Sequence, residues 1–189
     1  MDKKFIFDFA GSHCTGKTTL MKSVKKEILD LGYSCEIIES VTRDLVINKG
    51  FALYGKTDGL SQVMFSYFNY GSILACEAQV VLSTAFGVRP LAYSICAESV
   101  GSEVETMHWQ YLRFFASKEF QNCRTVTWFY LPVTFTMEED GIRVVDEPYR
   151  LKVDDTVNHI FDSIKHHHIY GSRRRMLDTA MEVIRRFLC

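Results

Sequence analysis

Eight residues near the start of this 189-residue chain, Gly11-Ser12-His13-Cys14-Thr15-Gly16-Lys17-Thr18, constrain its fold more than any other stretch. They follow the spacing GxxxxGK[ST]. Glycines let the backbone turn tightly and aim consecutive N–H groups inward, which makes a nest for phosphate oxygens. A helix opening at the lysine adds its positive N-terminal end. The flanks agree. Phe5-Ile6-Phe7-Asp8-Phe9 reads as a short buried strand, and Leu20, Met21, Val24, Ile28 and Leu29 share one face of a following helix with lysines opposite. The spacing predicts nucleoside triphosphate binding, with Lys17 reaching the β- and γ-phosphates and the Thr18 hydroxyl on Mg²⁺. The motif alone leaves kinase, GTPase and ATPase open. No NKxD-like guanine signature is present. No clear acidic strand end is present either: Val80-Val81-Leu82-Ser83-Thr84 carries hydroxyls where a carboxylate often stands.

The rest of the chain alternates strands with helices. Strands are expected at residues 35–39, 79–82, 125–131 and 168–170. Helices are expected at 41–48, 60–77, 88–97, 103–120 and 151–164. A last helix turns Met176, Leu177, Ala180, Met181, Ile184, Phe187 and Leu188 inward, with Ser172 as its N-cap. Residues 137–146 are polar and read as a loop. The alternation predicts an α/β fold, a parallel sheet covered on both faces, in a single domain.

Composition removes several classes. A chain 47% hydrophobic and 24% charged is not disordered. A formal net charge of -1 excludes a domain that is basic overall, so any nucleic-acid contact needs a local patch. Arg173-Arg174-Arg175 is such a patch, or a solvated run. Six scattered cysteines with no CxxC pair give neither a zinc pattern nor a disulfide scaffold. No leader or membrane span is visible, so a cytoplasmic protein with free thiols and no membrane contact is expected. His166-His167-His168 reads as strand or loop rather than as metal ligands. Phe65, Tyr67, Phe68 and Tyr70 cannot share one helix face, so at least one is expected to face a cleft or lid.

Taken in order, further segments carry a resemblance. They are Glu39-Ser40-Val41-Thr42-Arg43, Gln62, Glu77, Ala92-Tyr93, Pro132, Glu139-Asp140-Gly141-Ile142-Arg143, Arg150 and Tyr170-Gly171-Ser172-Arg173-Arg174-Arg175. With the phosphate loop, they make the chain resemble small P-loop kinases that include nicotinamide riboside kinase domains and phage deoxynucleoside monophosphate kinases. Some members of the wider group phosphorylate hydroxymethylated pyrimidines within phage DNA. The resemblance implies a three-layer fold on a five-stranded parallel sheet and a mobile lid over about residues 132–150. It implies ATP as donor and Mg²⁺ as cofactor. Arg143 and Arg150 would close over the phosphates, and Gly171 to Arg175 would lie beside the adenine. Ser172, Arg173 and Arg175 would therefore join Gly11 to Thr19 (Gly11, Ser12, His13, Cys14, Thr15, Gly16, Lys17, Thr18 and Thr19) in holding ATP.

One departure stands out. Relatives commonly carry Asp-Arg after the third strand, where this chain has Ser83-Thr84-Ala85. Asp8, Glu39 and Glu98 are candidate substitutes, although Asp8 also reads as a hydrogen-bonded structural acid. Glu39, at a strand end, suits a general base for an acceptor hydroxyl, or merely an acid at a helix N-terminus. Arg43, one turn on, holds a substrate phosphate or pairs with Glu39. The expected activity is ATP-dependent phosphorylation of a nucleotide or nucleoside-like acceptor. The alternatives are a kinase acting on 5-hydroxymethyluracil in DNA and a degenerate ATP-binding module.

Overall fold

Alternate residues of the first strand part to opposite faces of a sheet. β1 (Lys4–Ala10) sends Phe5, Phe7 and Phe9 into one apolar layer and Ile6 and Ala10 into the other. This computed structural model describes residues 4–51, 57–97, 99–134 and 146–188, apart from the side chains of Arg43 and Asp44. The sheet is completed by β2 (Cys35–Ile38), β3 (Val80–Ser83), β4 (Arg124–Tyr130) and β5 (His166–His168). Its order is β2-β3-β1-β4-β5, and every pairing is parallel. β1, β3 and β4 are buried on both faces, which explains their near-continuous apolar sequence.

Helices cover both faces. α1 (Lys17–Asp30) packs on the phenylalanine face together with the C-terminal helix, which spans Arg173–Leu188. Between them in sequence come α2 (Thr42–Lys49), α3 (Gly59–Ala75), α4 (Val88–Cys96), α5 (Ser102–Ala116), α6 (Lys118–Cys123) and α7 (Glu147–Phe161), making the C-terminal helix α8. Side chains of α3 to α7 fill the opposite face around Phe86, Phe115 and Trp128. The three layers and the five-stranded parallel sheet agree with the expected α/β fold.

Several boundaries differ from the sequence reading, each for a local reason. The helix expected over 103–120 is two helices, because Ser117 is extended (φ -68°, ψ 150°) and its hydroxyl accepts the Phe120 N–H to start α6. β5 lies two residues earlier than expected: Trp128 pairs with His166 and Tyr130 with His168, while Ile169 N–H reaches the Tyr130 carbonyl at 2.8 Å. Leu29 and Phe187, expected inside, are 48% and 37% exposed. α7 begins four residues earlier than expected. Asp146 accepts the Tyr149 N–H at 2.9 Å and Pro148 occupies the first turn, a cap and a proline that together start a helix. That shift moves Arg150 out of the expected lid and into a helix. The remainder of that lid between 135 and 145, Arg143 included, lies outside the described residues, as does Glu98.

Candidate active site

The carboxyl ends of β1, β2 and β3 converge on one edge of the sheet, where an open α/β fold places its crevice. The loop after β1 has the backbone a phosphate nest requires. Gly11 sits at φ 147°, and a Cβ there would lie 2.3 Å from the Leu131 carbonyl oxygen, so only glycine fits. Cys14 at φ 55° is the one non-glycine residue with left-handed backbone among the described residues. Gly16 at φ 80° is the N-cap of α1, whose first turn carries no acid to offset the helix dipole. Lys17 is buried. Its ammonium donates to the Ser12 carbonyl and, at 2.9 Å, to Thr15 Oγ1.

A cleft of about 390 Å³ opens beside this loop. One wall is His13 to Thr19 without a break. The other is built from Glu39, Ser40 and Thr42 beyond β2, from Gln62, Phe65 and Asn69 on α3, and from Thr84, Ala85, Arg89 and Tyr93 around the start of α4. Phe65 is the member of the aromatic stretch that reaches the cleft, while Tyr67 is 70% exposed on the far side of α3. Asn69 Oδ1 accepts the Val41 N–H at 3.0 Å and so pins the turn that follows Glu39. Behind this wall, buried His108 on α5 bonds Ser66 of α3 at 2.6 Å and Ser94 of α4 at 2.7 Å. Burial pulls its pKa down to about 4, so the ring is neutral and ties three helices together.

The missing carboxylate at the end of β3 is matched by one on the neighbouring strand. Asp8 lies in register with Ser83. It is fully buried, and its Oδ1 accepts the Phe86 N–H at 3.0 Å. Burial pushes its pKa up to about 7, against the pull of the Phe86 N–H, the Ser83 hydroxyl, Arg89 and Lys17. Asp8 does not line the cleft. It anchors, from beneath, the turn that presents Thr84 and Arg89.

Arg89 was not singled out by any motif. Its guanidinium donates to the Thr84 carbonyl and hydroxyl at 3.3 and 3.2 Å and lies 5.3 Å from the Tyr93 ring centroid. Tyr93 in turn bonds His13 Nδ1 at 3.2 Å, joining α4 to the phosphate loop. A signal was available: Arg89 is the only charged residue between Glu77 and Glu98.

The other expected residues divide. Lys17, Thr18, Thr19 and Glu39 meet in the cleft, with Glu39 exposed at its rim. The Arg43 side chain lies outside the described residues. Ser172 caps α8 by accepting the Arg175 N–H at 3.3 Å, Arg175 sits 5.1 Å from the Tyr170 ring, and Arg174 pairs with Asp178. None of residues 172–175 lines the cleft. Arg150, expected to close over phosphates, is instead wholly buried in α7 and hydrogen-bonded to the rear of the phosphate loop. The physical reason is the early start of α7, which points the side chain inward.

Among the described residues no three His, Cys, Asp or Glu side chains gather to cage a metal. A hydroxyl at the first turn of α1, Thr18, still suits Mg²⁺, which keeps waters and takes its other ligands from phosphates. No described helix is long and apolar enough to cross a membrane.

A parallel sheet in this order, with GxxxxGK[ST] between β1 and α1, matches the fold of solved P-loop kinase structures. The chain is similar to a NadR protein in complex with NR, with TM-score 0.69 and 15% identity over 96% of this chain and 51% of that one. It is similar to a NadR protein in complex with NAD and AMP-PNP, with TM-score 0.62 and 15% identity over 96% and 49%. It is also similar to thymidylate kinase from Ehrlichia chaffeensis, with TM-score 0.65 and 15% identity over 98% and 99%. The chain thus spans about half the length of the NadR proteins. No family model and no curated protein matches the sequence.

Proposed function

We propose that the chain is an ATP-dependent phosphotransferase whose acceptor is a nucleotide or a nucleoside-like molecule. The observation that carries this reading is the two-walled cleft: a phosphate nest on one side and, opposite, a wall bearing both an acid, Glu39, and a cation, Arg89. Hydrolysis alone needs no such second wall. The ligands of the similar structures, NR in one and NAD with AMP-PNP in another, support the same class.

Phosphoryl transfer is mostly positioning and charge neutralisation. In this reading the nest and Lys17 hold the β- and γ-phosphates. Mg²⁺, held by Thr18 and the phosphates themselves, supplies further neutralisation. Glu39 accepts the proton of an acceptor hydroxyl, whereas an acceptor phosphate needs no base. Arg89 holds anionic parts of the acceptor, Arg43 and Arg143 add positive charge for the phosphates, and Ser172, Arg173 and Arg175 flank the adenine.

The test is an acceptor screen with γ-labelled ATP over nucleosides, nucleoside monophosphates and DNA carrying hydroxymethylated pyrimidines. Label on a free nucleoside or mononucleotide supports the proposal. Label on the polymer moves the acceptor to a DNA base. Thermal protection by ATP without transfer to any acceptor makes the chain a binding module. Lys17→Ala is expected to abolish transfer, and full activity in that variant overturns the reading.

A further inference from the structure

Arg150 spends its whole guanidinium inside the protein. Its Nε donates to the His13 carbonyl at 3.0 Å and one terminal nitrogen to the Cys14 carbonyl at 3.2 Å. The other terminal nitrogen lies 3.1 and 3.0 Å from the two Glu147 oxygens. In a planar trans peptide the C=O and N–H point in opposite directions. Pinning the His13 carbonyl therefore aims the Cys14 N–H away from Arg150, and pinning the Cys14 carbonyl does the same for Thr15. Away from Arg150 is toward the cleft, which these loop residues line. The left-handed Cys14 is the residue at which the two pinned peptides turn.

We propose that Arg150 is a positioning residue of the nucleotide site: from α7 it braces the rear of the phosphate loop and fixes the direction of two N–H groups that receive phosphate oxygens. This rests on the nucleotide-binding half of the function proposed above. Arg150 acts by direction rather than by charge, since Glu147 neutralises it locally. A planar fork holds two successive carbonyls on separate nitrogens while a third faces Glu147, whereas a lysine would have to serve all of them from one rotatable ammonium with no fixed direction.

The experiment measures binding of inorganic triphosphate and of ATP to the full chain by calorimetry, for the wild type, Arg150→Lys and Glu147→Gln. Thermal melts and binding stoichiometry report the folded fraction, which separates a bent nest from a damaged fold. Arg150→Lys is expected to weaken triphosphate and ATP by the same factor, about tenfold or more. Glu147→Gln is expected to weaken both by about threefold, as a neutral partner holds the guanidinium less firmly. Wild-type triphosphate affinity in folded Arg150→Lys overturns the brace, and so does a loss confined to ATP. Should Arg150→Lys fail to fold, Glu147→Gln decides: its side chain is 43% exposed, and unchanged triphosphate affinity there overturns the proposal. A wild-type chain that takes up no triphosphate overturns it as well. A wild-type chain that binds triphosphate yet phosphorylates no acceptor sinks the kinase reading and leaves the brace standing.

Discussion

Replacing Asp8 by Asn keeps the side chain's shape and an oxygen for the Phe86 N–H while removing the proton that titrates. In the fold the carboxyl is pushed up to about 7 by burial, from a usual 3.8. At about 1.4 kcal/mol per pH unit, that gap is worth about 4 kcal/mol across the full titration. The sign follows from proton counting. Between the two values the folded chain holds a proton the unfolded chain has released, so stability falls as pH rises and levels off above 7. From pH 5 to pH 8 the loss is about 2–3 kcal/mol. His108 acts oppositely. Its folded pKa near 4 lies below the usual 6.5, so it costs stability as pH falls below 6.5. The difference between wild type and Asp8→Asn cancels His108 and isolates the carboxyl. Urea unfolding of both proteins at pH 5, 6, 7 and 8 supplies it. The variant is expected to gain about 2–3 kcal/mol on the wild type over that range. Parallel pH profiles would show that Asp8 titrates ordinarily and would refute the account of its burial.

Two further substitutions test the site. Gly11→Ala forces a Cβ to 2.3 Å from the Leu131 carbonyl, and a loss of about 3 kcal/mol is expected, read as a fall of roughly 6–12 °C in thermal midpoint; an unchanged midpoint contradicts the loop geometry. Glu39→Gln is expected to slow transfer to a hydroxyl acceptor by about 10²–10⁴-fold in a labelled-ATP assay, and an unchanged rate removes Glu39 from the chemistry.

What the sequence disclosed tracks how local the signal is. The phosphate loop and the three inner strands were legible because short apolar runs and fixed glycine spacing are written within a few residues. Asp146 closes the stretch that reads as a polar loop, and apolar spacing alone starts the helix only at residue 151. The capping carboxylate and first-turn proline declare a helix start only once the register of α7 is known. The consequence was large, because four residues decide whether Arg150 faces solvent or the loop. Ser117 misled in the same way, as one extended residue inside an otherwise helical pattern. Asp8 and His108 depend on contacts between segments 14 to 78 residues apart, such as Ser94 with His108 and Phe86 with Asp8, whereas Arg89 meets Thr84 and Tyr93 close by in the chain and is placed at the cleft only by the fold. No periodicity encodes those. Asp8 in an apolar strand was visible as odd, but the turn it anchors was not.

The bond from Arg150 to His13 joins points 137 residues apart. A ribosome releases the glycine-rich segment long before it makes the side chain that backs it. Through most of synthesis those two carbonyls face whatever solvent or non-native donor is at hand. On the proposed brace, competence for triphosphate waits until α7, which opens the final quarter of these 189 residues, has docked, and a nascent chain halted before α7 carries the motif without its backing.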